Sequence, residues 1–269
     1  MFGVVPKAIW SRFVEPDDQN RIPLQTNCLL LSDGSTNVLV ETGFGNKWSD
    51  KERGFYDLEH RTVVDALHEI DLDPADINSV IVTHLHFDHA AGLTSKKHGS
   101  DTIVPTFPNA KIFVQQTEWN DALENKSTMN RTYLRSHLDP IADRVKLIDG
   151  EHEVLPGIKV CPLLGHTWGH QGVKFYDEHG IVCFPGDVLP TVNHVGLPFS
   201  LGYDMLPYHN MITKHRLYQK AIAENWRLVL DHEPGDPVVR VQQDSADANR
   251  FTLVRQAAEE TGEPDKVQR

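Results

Sequence analysis

Six consecutive residues, His84-Leu85-His86-Phe87-Asp88-His89, place three imidazoles and a carboxylate in one short stretch. Neutral imidazole nitrogen and carboxylate oxygen are the donors that zinc and its first-row neighbours take, and a catalytic site keeps one coordination position for water. Side chains alternate along an extended chain, so His84 and His86 face the same side. Asp88 and His89 join them only if the chain curls after His86. The donor set suits one metal ion with spare ligands, or two ions. Histidines also cap helices and sit satisfied in cores. With 15 histidines among 269 residues, however, chance is a poor explanation for this pattern.

Three later segments carry further metal-competent residues: Gly165-His166-Thr167-Trp168-Gly169-His170, Pro185-Gly186-Asp187 and Leu230-Asp231-His232-Glu233-Pro234. Each stands where an apolar run meets a loop. Glycine beside a ligand lets the backbone turn tightly and approach an ion, which is a physical reason for Gly165 and Gly186. Taken singly, a Gly-His or Gly-Asp pair reads as a turn. His170 reads as a packing residue or an outer partner of a ligand, not as a ligand itself.

These side chains need elements to position them. Apolar runs of strand length recur at residues 27–31, 37–41, 79–83, 111–115, 159–163, 173–176, 180–184 and 227–230, separated by glycine, proline and acidic turns. Residues 58–70 place Val63, Val64, Leu67 and Ile70 at helical spacing, and Asp73-Pro74 forms a cap and first position of a short helical turn. Further helices are expected at 116–123 and 208–225. Strands in series broken by a few helices imply sheets with helices packed outside them, an α/β or α+β sandwich.

The chain is long enough to bury a sizeable core, and one domain over residues 1–269 is expected, with 1–24 as an N-terminal extension and 259–269 as a polar tail. Lys plus Arg at 26 against Asp plus Glu at 38 gives a net charge of −12, which argues against a nucleic-acid partner. Cys28, Cys161 and Cys183 are widely spaced and none is assigned to metal, so a reducing cytoplasm suits them. Cys183, in an apolar run, reads as a small buried hydrophobe. The chain shows neither a secretory start nor about 18 apolar residues together, so a cytoplasmic protein with no membrane partner is expected.

In this order, the motifs resemble the metallo-β-lactamase superfamily of metal hydrolases over about residues 25–235. The resemblance implies an α+β fold, an αββα sandwich of two sheets face to face with helices outside. It implies His84, His86 and His166 on one ion, Asp88, His89 and His232 on a second, and Asp187 bridging them. The implied cofactors are two divalent ions, zinc foremost, with iron, manganese and cobalt able to use the same ligands. Asp88 and Asp187 would also handle the proton of the attacking water.

Residues 83–93 are similar to quorum-quenching N-acyl-homoserine lactonases and to the methyl parathion hydrolase branch. Residues 186–191, with Tyr203-Asp204 and Pro207, are closer to the second branch, which includes lactonases. One departure is that the better-known lactonases carry a tyrosine after the bridging aspartate, where this chain has Val188-Leu189-Pro190. His194 and Tyr203 are candidates to hold the substrate carbonyl in its place. Leu197, Pro198, Phe199, Leu201 and Met205 would line an acyl pocket. The expected function is a dinuclear hydrolase acting on a small ester-like substrate, foremost a lactone. The alternatives are a phosphotriester, phosphoester or aryl-ester hydrolase and, from another class, a non-catalytic metal-dependent binding or regulatory protein. An apolar start, Val4, Val5, Ile9, Trp10 and Phe13, either packs on the core or meets a second subunit, and a homodimer is expected.

Overall fold

A computed structural model of the chain describes residues 1–97, 99–255 and the backbone of 266–267. The polar tail expected at 259–269 lies, apart from the backbone of those two residues, outside the described residues. The chain divides into two compact units, residues 28–149 and residues 1–27 with 150–269. Each has its own sheet and core.

In the 28–149 unit, β1 (Leu29–Ser32) and β2 (Asn37–Val40) form an antiparallel hairpin, and β3 (Ser79–Ile81) lies parallel to β2. A small hairpin of β4 (Thr94–Lys96) and β5 (Ile103–Pro105) stands apart. Strand β6 (Lys111–Gln115) then lies parallel to β3, and β7 (Val145–Ile148) parallel to β6. Parallel neighbours need long crossovers, and helices occupy them. Val63–His68 lies between β2 and β3, and Gln116–Leu123 between β6 and β7. The helix expected over 58–70 starts only at Val63, because Thr62 and Asp65 form a capping box there. Leu39, Val80, Val82, Leu85, Ile112, Val114, Trp119, Leu138 and Ile141 fill the core of this unit.

The second unit carries an eight-stranded sheet. Strands β8 (His152–Leu155), β9 (Ile158–Pro162), β10 (Gln171–Asp177) and β11 (Gly180–Phe184) run antiparallel in sequence. The helix Pro207–Ala223 crosses over to β12 (Arg227–Val229), which is parallel to β11. Strands β13 (Val238–Gln243), β14 (Phe251–Arg255) and β15 (Lys266–Val267) complete it, each antiparallel to the last. Proline at the first helical position and Asn225 at φ 54° just beyond the helix mark the ends of the crossover helix. Cys183 is fully buried in the core, beside Leu217, Leu228 and Leu253. Strands β7, β8, β13 and β14 are not among the expected runs. The first two are largely exposed edges without an apolar run, and β13 alternates buried Val239 and Val241 with outward Arg240 and Gln242.

The N-terminal segment packs within its own unit. Phe2 is 3% exposed, its ring stacks on Trp10 at 5.2 Å, and Phe13 meets Phe199 at 5.6 Å. Val4 and Ile9 stay exposed. Among the described residues no helix is long and apolar enough to cross a membrane.

Candidate metal centre

In the 28–149 unit the chain leaves β3 extended, and Leu85 turns into the core. His84 and His86 therefore share the other side, with ring centroids 4.4 Å apart. Helix Phe87–Ala90 begins directly after His86 and supplies the expected curl. It brings His89 to 4.0 Å from the His84 ring. All three histidines are buried, while the Asp88 carboxylate is 25% exposed and 3.8 Å from His89 Nε2.

Two buried glutamates hold this motif. Glu41, at the end of β2, accepts a hydrogen bond from Thr83 N (2.7 Å) and faces His89 Nδ1 at 3.4 Å. Its φ of 66° is unusual for a non-glycine residue, a backbone cost that is met at functional sites. Thr42, next in sequence, donates through its hydroxyl to His89 O (2.7 Å). Glu118 on the helix Gln116–Leu123 accepts from Leu85 N (2.9 Å) and from Tyr133 Oη (3.1 Å), fixing the backbone between His84 and His86. Lys47 donates to the carbonyls of Ala91 and Thr94, just beyond His89. Burial pulls its pKa down to about 7.

In the other unit, His166, Asp187 and His232 come together from three loops. His166 Nε2 lies 3.0 Å from Asp187 Oδ2, and His232 Nε2 lies 3.0 Å from Asp187 Oδ1. The far sides of both rings are held as well: His166 Nδ1 meets Asp204 Oδ1 at 2.8 Å, and His232 Nδ1 meets the Gln25 carbonyl at 2.7 Å. Gly165 has φ 142° and would drive a Cβ into Asn210 Cα at 2.4 Å, and Gly186 has φ 55°. Gly165 thus requires glycine, and the left-handed backbone at Gly186 favours it, as the sequence leads one to expect.

The donor chemistry fits divalent metal. Asp204 and the Gln25 carbonyl are acceptors at Nδ1 of His166 and His232, and in a neutral ring with its proton on Nδ1 the Nε2 atom is left as a metal donor. In such a ring the Nε2 lone pair faces a carboxylate oxygen, an approach that is favourable when a cation lies between them. A 3.0 Å spacing is one that two ligands of the same ion adopt when each lies about 2.0–2.2 Å from it.

His170 is fully buried with its ring 5.9 Å from that of His166, in keeping with a packing role. His194 is also fully buried. Its Nδ1 pairs with Thr191 Oγ1 (2.8 Å), its Nε2 with Met1 O (3.0 Å), and burial holds its pKa down to about 3. Both ring nitrogens are thus committed to the protein. Tyr203 is 45% exposed, and Leu201 is buried. Sequence reasoning missed Glu41, Glu118 and the orienting role of Asp204. It also left Asp231 unassigned, although Asp231 is 1% exposed with its carboxylate 4.0 Å from His232 Nε2. A polar triplet, Glu41-Thr42-Gly43, at the end of an apolar run was the available signal for the first of these.

Residues 21–242 match the profile of the metallo-beta-lactamase superfamily. The chain belongs to that superfamily. Its fold is the α+β metallo-β-lactamase fold. An N-acyl homoserine lactonase, AiiA, of Bacillus thuringiensis subsp. kurstaki is 30% identical over 177 residues, 62% of each chain. The chain thus spans less than two thirds of the length of that lactonase. The crystal structure of a probable metal-dependent hydrolase from Staphylococcus aureus is similar with a TM-score of 0.83 at 29% identity, over 93% of this chain and 90% of that one. AidC, a dizinc quorum-quenching lactonase solved with its product N-hexanoyl-L-homoserine, shares the fold with a TM-score of 0.70 at 17% identity, over 87% and 80% of the two chains.

Proposed function

We propose that the chain is a dinuclear metal hydrolase that opens lactones of the N-acyl-homoserine type. The observation that carries the dinuclear reading is Asp187, whose two oxygens each meet a different histidine, as a bridging carboxylate's would. In this reading His84, His86 and His166 hold one ion, and His89, Asp187, Asp231 and His232 hold the other, with Asp88 added to the second set as the family pattern implies. Zinc is the preferred ion, in line with the dizinc relative and the mixed His/Asp donors. Two such ions, when bound, activate a water and polarise the bond under attack.

The protein's own contributions follow from the residues. Glu41, Asp204 and the Gln25 carbonyl keep the Nε2 atoms of His89, His166 and His232 as donors. Asp187 keeps the two positions at a fixed separation. Asp88, the more exposed carboxylate, takes up a proton and passes it to solvent. Around Phe87, between His86 and Asp88 in sequence, lie Phe44, Trp48 and Tyr56, with ring centroids 5.5–5.7 Å from its own. Such a half-buried aromatic cluster suits an acyl chain, which supports the lactone. It suits an aryl group equally, and aryl-ester or phosphotriester hydrolysis is the second reading.

A panel of acyl-homoserine lactones of graded chain length, simple lactones, aryl esters and a paraoxon-type triester, with metals quantified and His86→Ala as blank, tests both. Lactone turnover far above the rest is the expected result. Triester turnover above lactone turnover establishes the second reading, and an inert protein with full metal content overturns both. A homodimer through the exposed Val4 and Ile9 belongs to the same proposal, and a monomeric mass by light scattering removes it.

A further inference from the structure

Residues 188–203 join two carboxylates that hold opposite nitrogens of one ring, Asp187 at His166 Nε2 (3.0 Å) and Asp204 at His166 Nδ1 (2.8 Å). Whatever shapes this loop therefore sets how His166 is presented. Asp204 is fixed further by Asn210 Nδ2 (2.6 Å) and by Leu201 N (3.3 Å). Inside the loop stands a residue the chemistry above does not use. Lys214, on the helix Pro207–Ala223, is 1% exposed, and its ammonium donates to His194 O (2.9 Å) and Phe199 O (3.0 Å). Tyr218, one turn on, donates to Val195 O (3.0 Å). On the other side of His194, Phe2 stacks on its ring at 4.6 Å and 9°.

A buried ammonium is costly, and burial pulls the pKa of Lys214 down to about 8 against the opposing charge of Asp204. An apolar side chain would fill the same space without that cost, but it would leave two buried carbonyls without donors. Those carbonyls lie five residues apart on the stretch that leads to Asp204. A hydrogen-bonded staple across them closes the loop from within.

We propose that Lys214 is a positioning residue for the metal centre, stapling residues 194–199 so that Asp187 and Asp204 meet the two nitrogens of His166. The proposal rests on the reading of His166 as a metal ligand. Its test is zinc binding, measured as equivalents bound and by competition with a chromophoric chelator. The proteins compared are wild type, Lys214→Met, Lys214→Gln and Leu253→Ala, the last a core truncation on β14 with no bond to the loop.

Lys214→Met is expected to weaken one of two zinc equivalents about tenfold, the lower end of what loss of an outer partner does to metal affinity. Lys214→Gln, which keeps N–H donors, is expected to lose less. Leu253→Ala should lower the unfolding temperature of the metal-free protein yet keep both equivalents at wild-type affinity. A Lys214→Met protein that holds both equivalents as tightly as wild type overturns the proposal, and so does an equal loss of affinity in Leu253→Ala. If Lys214→Met does not fold, Lys214→Gln decides in its place, and unchanged affinity again overturns the proposal. Wild-type protein that binds no zinc overturns instead the reading of the site on which the proposal rests.

Discussion

In residues 28–149 four ligand-capable side chains stand within six residues of sequence, whereas in the other unit His166, Asp187 and His232 arrive from three loops. The first set is local. One strand end and one turn of helix fold it, and distant residues only trim its orientation: Glu41 at His89 and Glu118 at Leu85 N. The second set exists only when β9, β11 and β12 have paired and their loops have closed. Its members meet on Asp187. A local set is resistant to loss of one support, whereas an assembled set depends on each connection in turn.

The largest test of that contrast is Asp187→Ala, which removes the residue on which His166 and His232 converge. Hydrolytic rate at saturating substrate is expected to fall about 10³-fold or more, since the polarisation supplied by metal amounts to several kcal/mol. Metal content should fall with it. A variant retaining full metal would show the second set to be as self-sufficient as the first.

Next in size are the orienting carboxylates. Asp204→Asn and Glu41→Gln should each weaken metal binding about 10–100-fold in chelator competition. The larger loss is expected for Asp204, whose contact with His166 at 2.8 Å is closer than that of Glu41 with His89 at 3.4 Å. The reverse order would place the greater dependence in the local set.

Glu118→Leu leaves Leu85 N–H and the Tyr133 hydroxyl without this acceptor and should cost about 1–3 kcal/mol in urea unfolding of the metal-free protein. An unchanged midpoint would show that the hexapeptide holds its shape without help.

The smallest effect concerns Glu52 at the start of the helix Asp50–Tyr56. Hydrogen bonds from Ser49 and the Arg131 guanidinium bring its pKa down from 4.5 to about 2. A carboxylate whose folded pKa is depressed contributes stability above its unfolded value, and that contribution is lost as pH falls from about 4.5 towards 2. Glu52→Gln should therefore lower the unfolding temperature of metal-free protein slightly at pH 6 and by much less at pH 2. A difference that persists unchanged down to pH 2 would refute the assignment.

The hexapeptide, the Gly-His and Gly-Asp turns and the late His232 were all legible, because a metal-ligand pattern depends on residue type and short spacing. Most strands that carry them were legible too, since they are buried and read as apolar runs. Edge strands β7 and β8 were not, being largely exposed. His194 illustrates the limit. Its position after Asp187 made it a candidate for the substrate, yet Met1, Phe2 and Thr191 occupy its two nitrogens and its face. Nothing in a linear reading puts residue 2 against residue 194.

What the sequence determined by itself is therefore the chemistry: which side chains can bind metal, and that His84 and His86 share a side of an extended chain while a turn must bring His89 round. Spacing along a backbone of known geometry suffices for that. What only the tertiary structure decided is orientation. Glu41, Glu118, Asp204 and Lys214 lie 20 or more residues from the groups they hold, except for Glu118 with Tyr133 and Lys214 with Phe199, at 15, and Asp204 with Asn210 and Leu201, closer still. Hydrogen bonds over such separations carry no periodic signature. They exist because strands and loops distant in sequence are packed against one another within each unit.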